Sequence, residues 1–416
     1  MKIELGFGSG VQSVELPDKN VLAVLEANTV EYALTGEDEV RRALQNPIAA
    51  PPLREVVRAG ETVAIVTSDI TRPCPTWKML PPVLEELFAA GIRAEDITVT
   101  FALGSHRAHS EEEHKKLMGE SYGVIACRDS DGTNCLRLGI TKRGTPVDID
   151  AAVASADRRI CLGNIEYHYF AGYSGGAKAI MPGVSTREAI QANHSRMVEA
   201  AACAGKLEGN PVREDIEEAA AICGVDYIVN VVLDAHKEIV YAVAGDVTKA
   251  HRDACRFLDS LYRKTIPRRA DIVLVSQGGA PKDLNLYQVQ KALDNAKHAV
   301  RPGGIIVLVG SCREGLGEEV FEQWMLEAEK PEDLIERVQK NFRLGGHKAA
   351  AIAMVLQNAE IDLVSELDPT FVKRIFLEPY PTAQAAIDHA FARLGADASV
   401  IVMPFGGSTL PHAETE

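Results

Sequence analysis

The residues best suited to chemistry crowd into one stretch, His168-Tyr-Phe-Ala-Gly-Tyr-Ser-Gly-Gly-Ala-Lys178. A Pro-Gly turn at 182–183 follows, then a helix-like run from Thr186 to Ala202 that carries His194. Histidine offers a proton relay or a metal ligand. Lysine offers a charge or, when its pKa is depressed, a nucleophile. The pair Gly175-Gly176 lets a backbone approach a ligand closely. Each position alone reads as readily as part of a surface loop. Two histidines, paired glycines and a lysine within 27 residues mark an active-site segment.

Other segments supply partners for this chemistry. Ser68-Asp69-Ile70-Thr71-Arg72-Pro73 follows an apolar, β-branched run, and Arg72 offers a fork suited to a carboxylate or phosphate. Asp69 and Thr71 add an acceptor and a hydroxyl on the same turn, and the helix start beyond the prolines favours an anion. The plainer reading pairs Arg72 with Asp69. Gly104-Ser-His106-Arg-Ala-His-Ser110 places His106 just past a strand, as a candidate acid/base. His109 and His114 read as a solvated face, and Ser110 with Glu113 as a capping box. Farther along, Tyr287, Gln288 and Lys291 open a helix, with Tyr287 and Lys291 on one face. The plainer reading there is a helix surface with its lysine in solvent.

The elements that must hold these groups alternate. Strands are expected at 62–67, 97–103, 159–163, 227–233, 272–276, 304–310 and 399–404. Helices are expected at 75–90, 110–118, 211–223, 247–264, 286–300 and 331–344. Such alternation predicts an α/β chain of two domains, each with a largely parallel sheet flanked by helices. Active groups then sit where strands end and helices begin. The basic, proline-bearing stretch 263–270 places the boundary between residues 1–265 and 266–416. The Gly/Pro-rich tail 403–412 has room to pack back on the N-terminal domain.

A net charge of −15 without a Lys/Arg run argues against nucleic acid and anionic membranes as partners. No apolar run of about 18 residues exists to span a bilayer. The N-terminus lacks a signal-peptide core, and the eight cysteines include no C-x-x-C pair, so a cytoplasmic location is expected.

Together these segments resemble the nickel-dependent lactate racemase family of 2-hydroxyacid racemases and epimerases. The motifs read D-x-T-R-P at Asp69–Pro73, G-x-H-R-x-x-S at Gly104–Ser110 and H-x-F-x-G-Y-S-G-G-x-K at His168–Lys178. His194 and the Tyr287-Gln288-x-x-Lys291 set complete the match, which covers nearly the whole chain. The resemblance implies a nickel-pincer nucleotide tethered to Lys178, with His194 as nickel ligand. Asp69, Thr71 and Arg72, with Gly175 and Gly176, would hold that cofactor. His106 and His168 would be the paired acid/base residues. Tyr287, Gln288 and Lys291 would bind the substrate, with Arg72 and Lys291 compensating its carboxylate. Two sulfurs, a carbon and one imidazole make a soft planar set that suits Ni(II).

The implied reaction removes the C2 hydrogen of a small 2-hydroxy acid as hydride, then returns it to the other face of the 2-oxo acid. Cofactor-biosynthesis proteins are the implied partners. The chain departs from some relatives in lacking a large aromatic within Gly345-Gly346-His347-Lys348, which leaves room for a longer or more polar substrate. Two rival readings are a nicotinamide-dependent 2-hydroxyacid dehydrogenase and a non-catalytic sensor of a hydroxy acid or nucleotide. The first lacks a strand–GxGxxG–helix unit, since Gly6-x-Gly8-x-Gly10 reads as a hairpin turn. The second has no use for two proton relays.

Overall fold

A computed structural model describes residues 1–234 and 236–414. The α/β class and the two sheets with parallel strands are as expected. Two compact units form, Val30–Ser260 and a second made of Met1–Thr29 with Leu261–Glu416.

The sheet of the first unit runs, in spatial order, Ile239–Gly245, Tyr227–Leu233, Arg158–Ile165, Val63–Ser68, Ile97–Ala102 and Ala126–Asp129. Only the Ile239–Gly245 edge is antiparallel to its neighbour. Its central strands are continuous apolar runs, buried along nearly their whole length, as strands covered on both faces must be. Leu80 and Val83, from the helix Thr76–Ala89, pack with Ile65, Val99 and Phe101 in the core. Helix Glu111–Met118 begins with the expected Ser110–Glu113 capping box. Helix Pro211–Cys223 starts with Asn210 as cap and proline in the first turn, and ends at Gly224 with φ 81°. The helix-like run 186–202 is shorter than expected. It is helical over Arg187–His194, capped by Thr186, and then tightens over Ser195–Val198.

The sheet of the second unit is parallel throughout, in the order Glu378–Tyr380, Ala359–Val364, Val300–Val309, Ala270–Ser276, Val400–Met403 and Val21–Val24. The helix expected over 286–300 ends at Ala296, because Val300 already begins a strand.

The single boundary expected near residue 265 is corrected here. Residues 1–29 belong with the C-terminal half, because Val21–Val24 supplies its edge strand beside Val400–Met403. The hairpin Lys2–Phe7/Gly10–Glu15 adds Leu5 and Val14, both fully buried, to the same core. Each contributes about 1.5–3 kcal/mol by leaving water. Gly8, at φ 54°, turns that hairpin. The tail does not leave this unit either, since Leu410–Ala413 pairs in parallel with Arg263–Ile266. Among the described residues no helix is long and apolar enough to cross a membrane.

Candidate active site

Three adjacent parallel strands of the first unit carry the candidate residues at their C-terminal ends. Asp69–Arg72 follows Val63–Ser68, His106 follows Ile97–Ala102, and His168 follows Arg158–Ile165. That is where an open α/β sheet presents its loops to a ligand.

Asp69 is buried, and His106 Nδ1 bonds one of its carboxylate oxygens directly. Thr71 donates to the other oxygen through its backbone N–H at 2.7 Å and its hydroxyl at 2.5 Å. Burial would raise the Asp69 carboxyl, but His106 and Thr71 outweigh it and hold the group below its usual value. The carboxylate therefore stays charged and orients the imidazole. Arg72 does not pair with Asp69. Its side chain is exposed, and among the described residues no carboxylate lies within ion-pair distance of it.

The second loop departs from the reading of a solvated face. His109 is almost wholly buried beside Phe101, at 5.4 Å between ring centres. It shares Asp129 with the half-buried His114. His109 Nδ1–H donates to Asp129 Oδ1 at 2.5 Å, and its Nε2 accepts the Ile70 N–H at 3.0 Å. His109 thus braces the loop that carries Asp69 and Arg72. Its inward direction depends on Asp129 and Ile70, neither of which the local sequence pairs with it.

In the His168–Lys178 segment, Phe170 is the hub. Its ring meets His168 edge-on at 4.5 Å and His194 at 4.9 Å, and Lys178 Nζ lies 5.9 Å from its centre. Burial, then the charges of Lys178, Arg72, His194 and Arg213, push His168 well below the usual histidine value. Burial, then Arg213 and Arg72, likewise push Lys178 far down. No carboxylate pairs with Lys178 among the described residues, so nothing opposes its loss of charge. Arg213 is fully buried and donates Nε–H to Ala171 O at 3.0 Å and an Nη2–H to Tyr173 O. Phe170 is the F of the H-x-F-x-G-Y-S-G-G-x-K motif, where no role attaches to it, and Arg213 lies outside every motif. Arg213 is one of five charged residues in the helix Pro211–Cys223, so nothing in the sequence marks it as the one that turns inward to Ala171 and Tyr173.

His194 is buried at the end of its helix, with Nδ1 at 2.8 Å from Asn193 Oδ1. The freedom of the glycine pair is spent on the protein itself. A Cβ on Gly175 would meet Ile165 at 2.4 Å and one on Gly176 would meet His251 at 2.7 Å, both at positive φ. The Gly176 N–H already donates to Asn230 Oδ1 at 2.7 Å. In the second unit, Tyr287, Gln288 and Lys291 lie in the first turns of the helix Leu286–Ala296, capped by Asn285. Buried Lys348 Nζ sits 3.9 Å from the Tyr287 ring centre and donates to the Tyr287 carbonyl at 2.5 Å. Gly346, in the stretch without an aromatic, abuts Trp324, which a Cβ would meet at 2.5 Å.

The histidine behind the glycine pair gives a pH test. Burial, then Arg213, hold His251 well below the usual histidine value, and its Nε2–H donates to Ser174 O at 2.8 Å. Below about pH 6.5 the unfolded chain takes a proton there and the folded chain does not. Stability is complete above that pH and falls by about 1.4 kcal/mol per pH unit beneath it. His251→Gln, whose amide can still donate to Ser174 O, is expected to show a shallower drop in urea midpoint between pH 7 and 5.5. Identical acid sensitivity in both proteins would contradict it.

Known proteins resemble the chain along nearly its whole length. The lactate racemase N-terminal domain matches residues 7–205, and the lactate racemase C-terminal domain matches residues 266–410. The chain is 31% identical over 423 residues to lactate racemase of Thermoanaerobacterium thermosaccharolyticum, covering 98% of both. It is 31% identical over 418 residues to lactate racemase of Lactiplantibacillus plantarum, covering 97% of this chain and 98% of the relative. The lactate racemase apoprotein structure from T. thermosaccharolyticum superposes with a TM-score of 0.89 over 99% of this chain and 100% of that one, at 31% identity. A Thermotoga maritima protein, 17% identical, shares the fold at a TM-score of 0.63 over 92% of this chain and 100% of its own. The chain belongs to the lactate racemase family.

Proposed function

We propose that this enzyme inverts C2 of a small 2-hydroxy acid, lactate or a near analogue, using a nickel-pincer nucleotide. The observation that carries the reading is the Phe170 hub, which gathers a depressed lysine, a depressed histidine and a buried histidine around one ring. The residues suit the group. Lys178 meets the need for an uncharged amine that forms a covalent link. His194 offers one buried imidazole, which suits a group that brings further donors of its own. Arg72 provides an exposed cation for a phosphate or carboxylate. The roles proposed for Tyr287, Gln288 and Lys291 in substrate binding, and for Gly175 and Gly176 in shaping the cofactor loop, stand on the motif resemblance.

The C2 hydrogen of a 2-hydroxy acid is a poor acid, because the neighbouring carboxylate is already negative. When bound, the cofactor supplies a reversible acceptor for that hydrogen with its electron pair. The protein handles the hydroxyl proton. His168, held neutral, can accept it directly, and His106, oriented by Asp69, can do so from the other side. Two bases are needed because the enantiomers present the hydroxyl in opposite directions.

Holoprotein given C2-deuterated lactate in ordinary water is expected to racemise it with the deuterium largely retained. A histidine carries only the exchangeable hydroxyl proton on this route. Deprotonation at C2 would instead wash the label into solvent, and wholesale loss by mass spectrometry would overturn the reading.

A further inference from the structure

We infer that Asn193 and Asp215 are positioning residues for the His194 imidazole, a role that rests on His194 being the nickel ligand. The amide of Asn193 has only one orientation that satisfies its surroundings. Its Nδ2 donates to Asp215 Oδ2 at 2.7 Å and to Val212 O at 3.2 Å, both of them acceptors. Oδ1 therefore faces His194 Nδ1 at 2.8 Å and accepts its proton. With the proton on Nδ1, the lone pair that could bind a metal lies on Nε2.

Behind the amide stands a buried charge. Asp215 is fully buried and accepts from Thr141 Oγ1 at 2.5 Å and Thr145 Oγ1 at 2.6 Å, besides Asn193. Among the described residues no lysine, arginine or histidine lies within ion-pair distance of it. An unpaired carboxylate in the interior costs several kcal/mol, where an apolar side chain would cost none. Its field reaches the imidazole through one polarised amide, and a negative charge behind a ligand imidazole makes it a stronger donor. The two threonines come from the turn between Cys135–Ile140 and Pro146–Asp150, so strand, helix and ligand are locked in one chain of hydrogen bonds.

The test is nickel release from holoprotein into excess EDTA, followed by metal analysis, with the Lys178 adduct checked by intact mass. Asn193→Ala cuts the relay, and Asp215→Asn removes the charge while keeping the shape. Both are expected to keep the adduct and to lose nickel faster, Asn193→Ala by about ten- to a hundredfold. An Asn193→Ala rate equal to wild type overturns the inference. If that variant does not fold, Asp215→Asn decides, and a wild-type rate there overturns the contribution of the charge. Nickel retained by His194→Ala at the wild-type rate would instead overturn the ligand reading itself.

Discussion

Lys178→Ala holoprotein, made in a host that produces the cofactor, is expected to carry no covalent adduct and to show no turnover. An ordinary lysine is almost wholly protonated at neutral pH and has no lone pair to offer. Lys178 is half-buried, lies near the fixed cation Arg213, and has no carboxylate partner among the described residues. All of these favour the free amine. Lys178→Arg restores a cation but no nucleophile, so it should also stay unmodified. Intact-mass analysis of the three proteins decides the matter, and an adduct persisting on the alanine variant would rule out the tether.

The order of elements was legible because each is announced locally. Tyr227–Leu233 and Pro211–Cys223 lie where the apolar run and the Asn-Pro start place them. What escaped was decided by pairing between distant segments. Val21–Val24 is too short to betray its partner, and only the register with Val400–Met403 carries residues 1–29 into the C-terminal unit. The site divides in the same way. Residue types identify His106, His168, Lys178 and His194 as chemically able, but direction comes from neighbours far along the chain. His109 reads as part of a solvated face in sequence, yet it turns inward to brace Ile70 while His106 turns to Asp69. At Gly175 and Gly176 the sequence does not display that Ile165, Asn230 and His251 occupy the space that a side chain would need. Phe170 stands within the motif and Arg213 outside it, and neither carries a reactive group that would mark its part. Only packing shows that one gathers the site and the other tunes its charge.

His106→Ala and His168→Ala are each expected to lower turnover of both lactate enantiomers by about a hundred- to ten-thousandfold, the usual contribution of a general acid or base. On the proposed route inversion uses both groups in every cycle, one taking the hydroxyl proton and the other returning one from the opposite side. Loss of either therefore stops both directions. Neither imidazole is proposed to touch the metal, so nickel content and the Lys178 adduct should match wild type. His194→Ala is the contrast, expected to lose nickel along with activity. Asp69→Asn adds a graded case. It keeps an acceptor for His106 Nδ1 but removes the charge that Thr71 and His106 now stabilise, so it should impair turnover less than His106→Ala and leave nickel in place. Metal analysis beside a chiral assay reads all four variants at once. Equal nickel loss in His106→Ala, His168→Ala and His194→Ala would show that these histidines do not divide between proton transfer and metal binding.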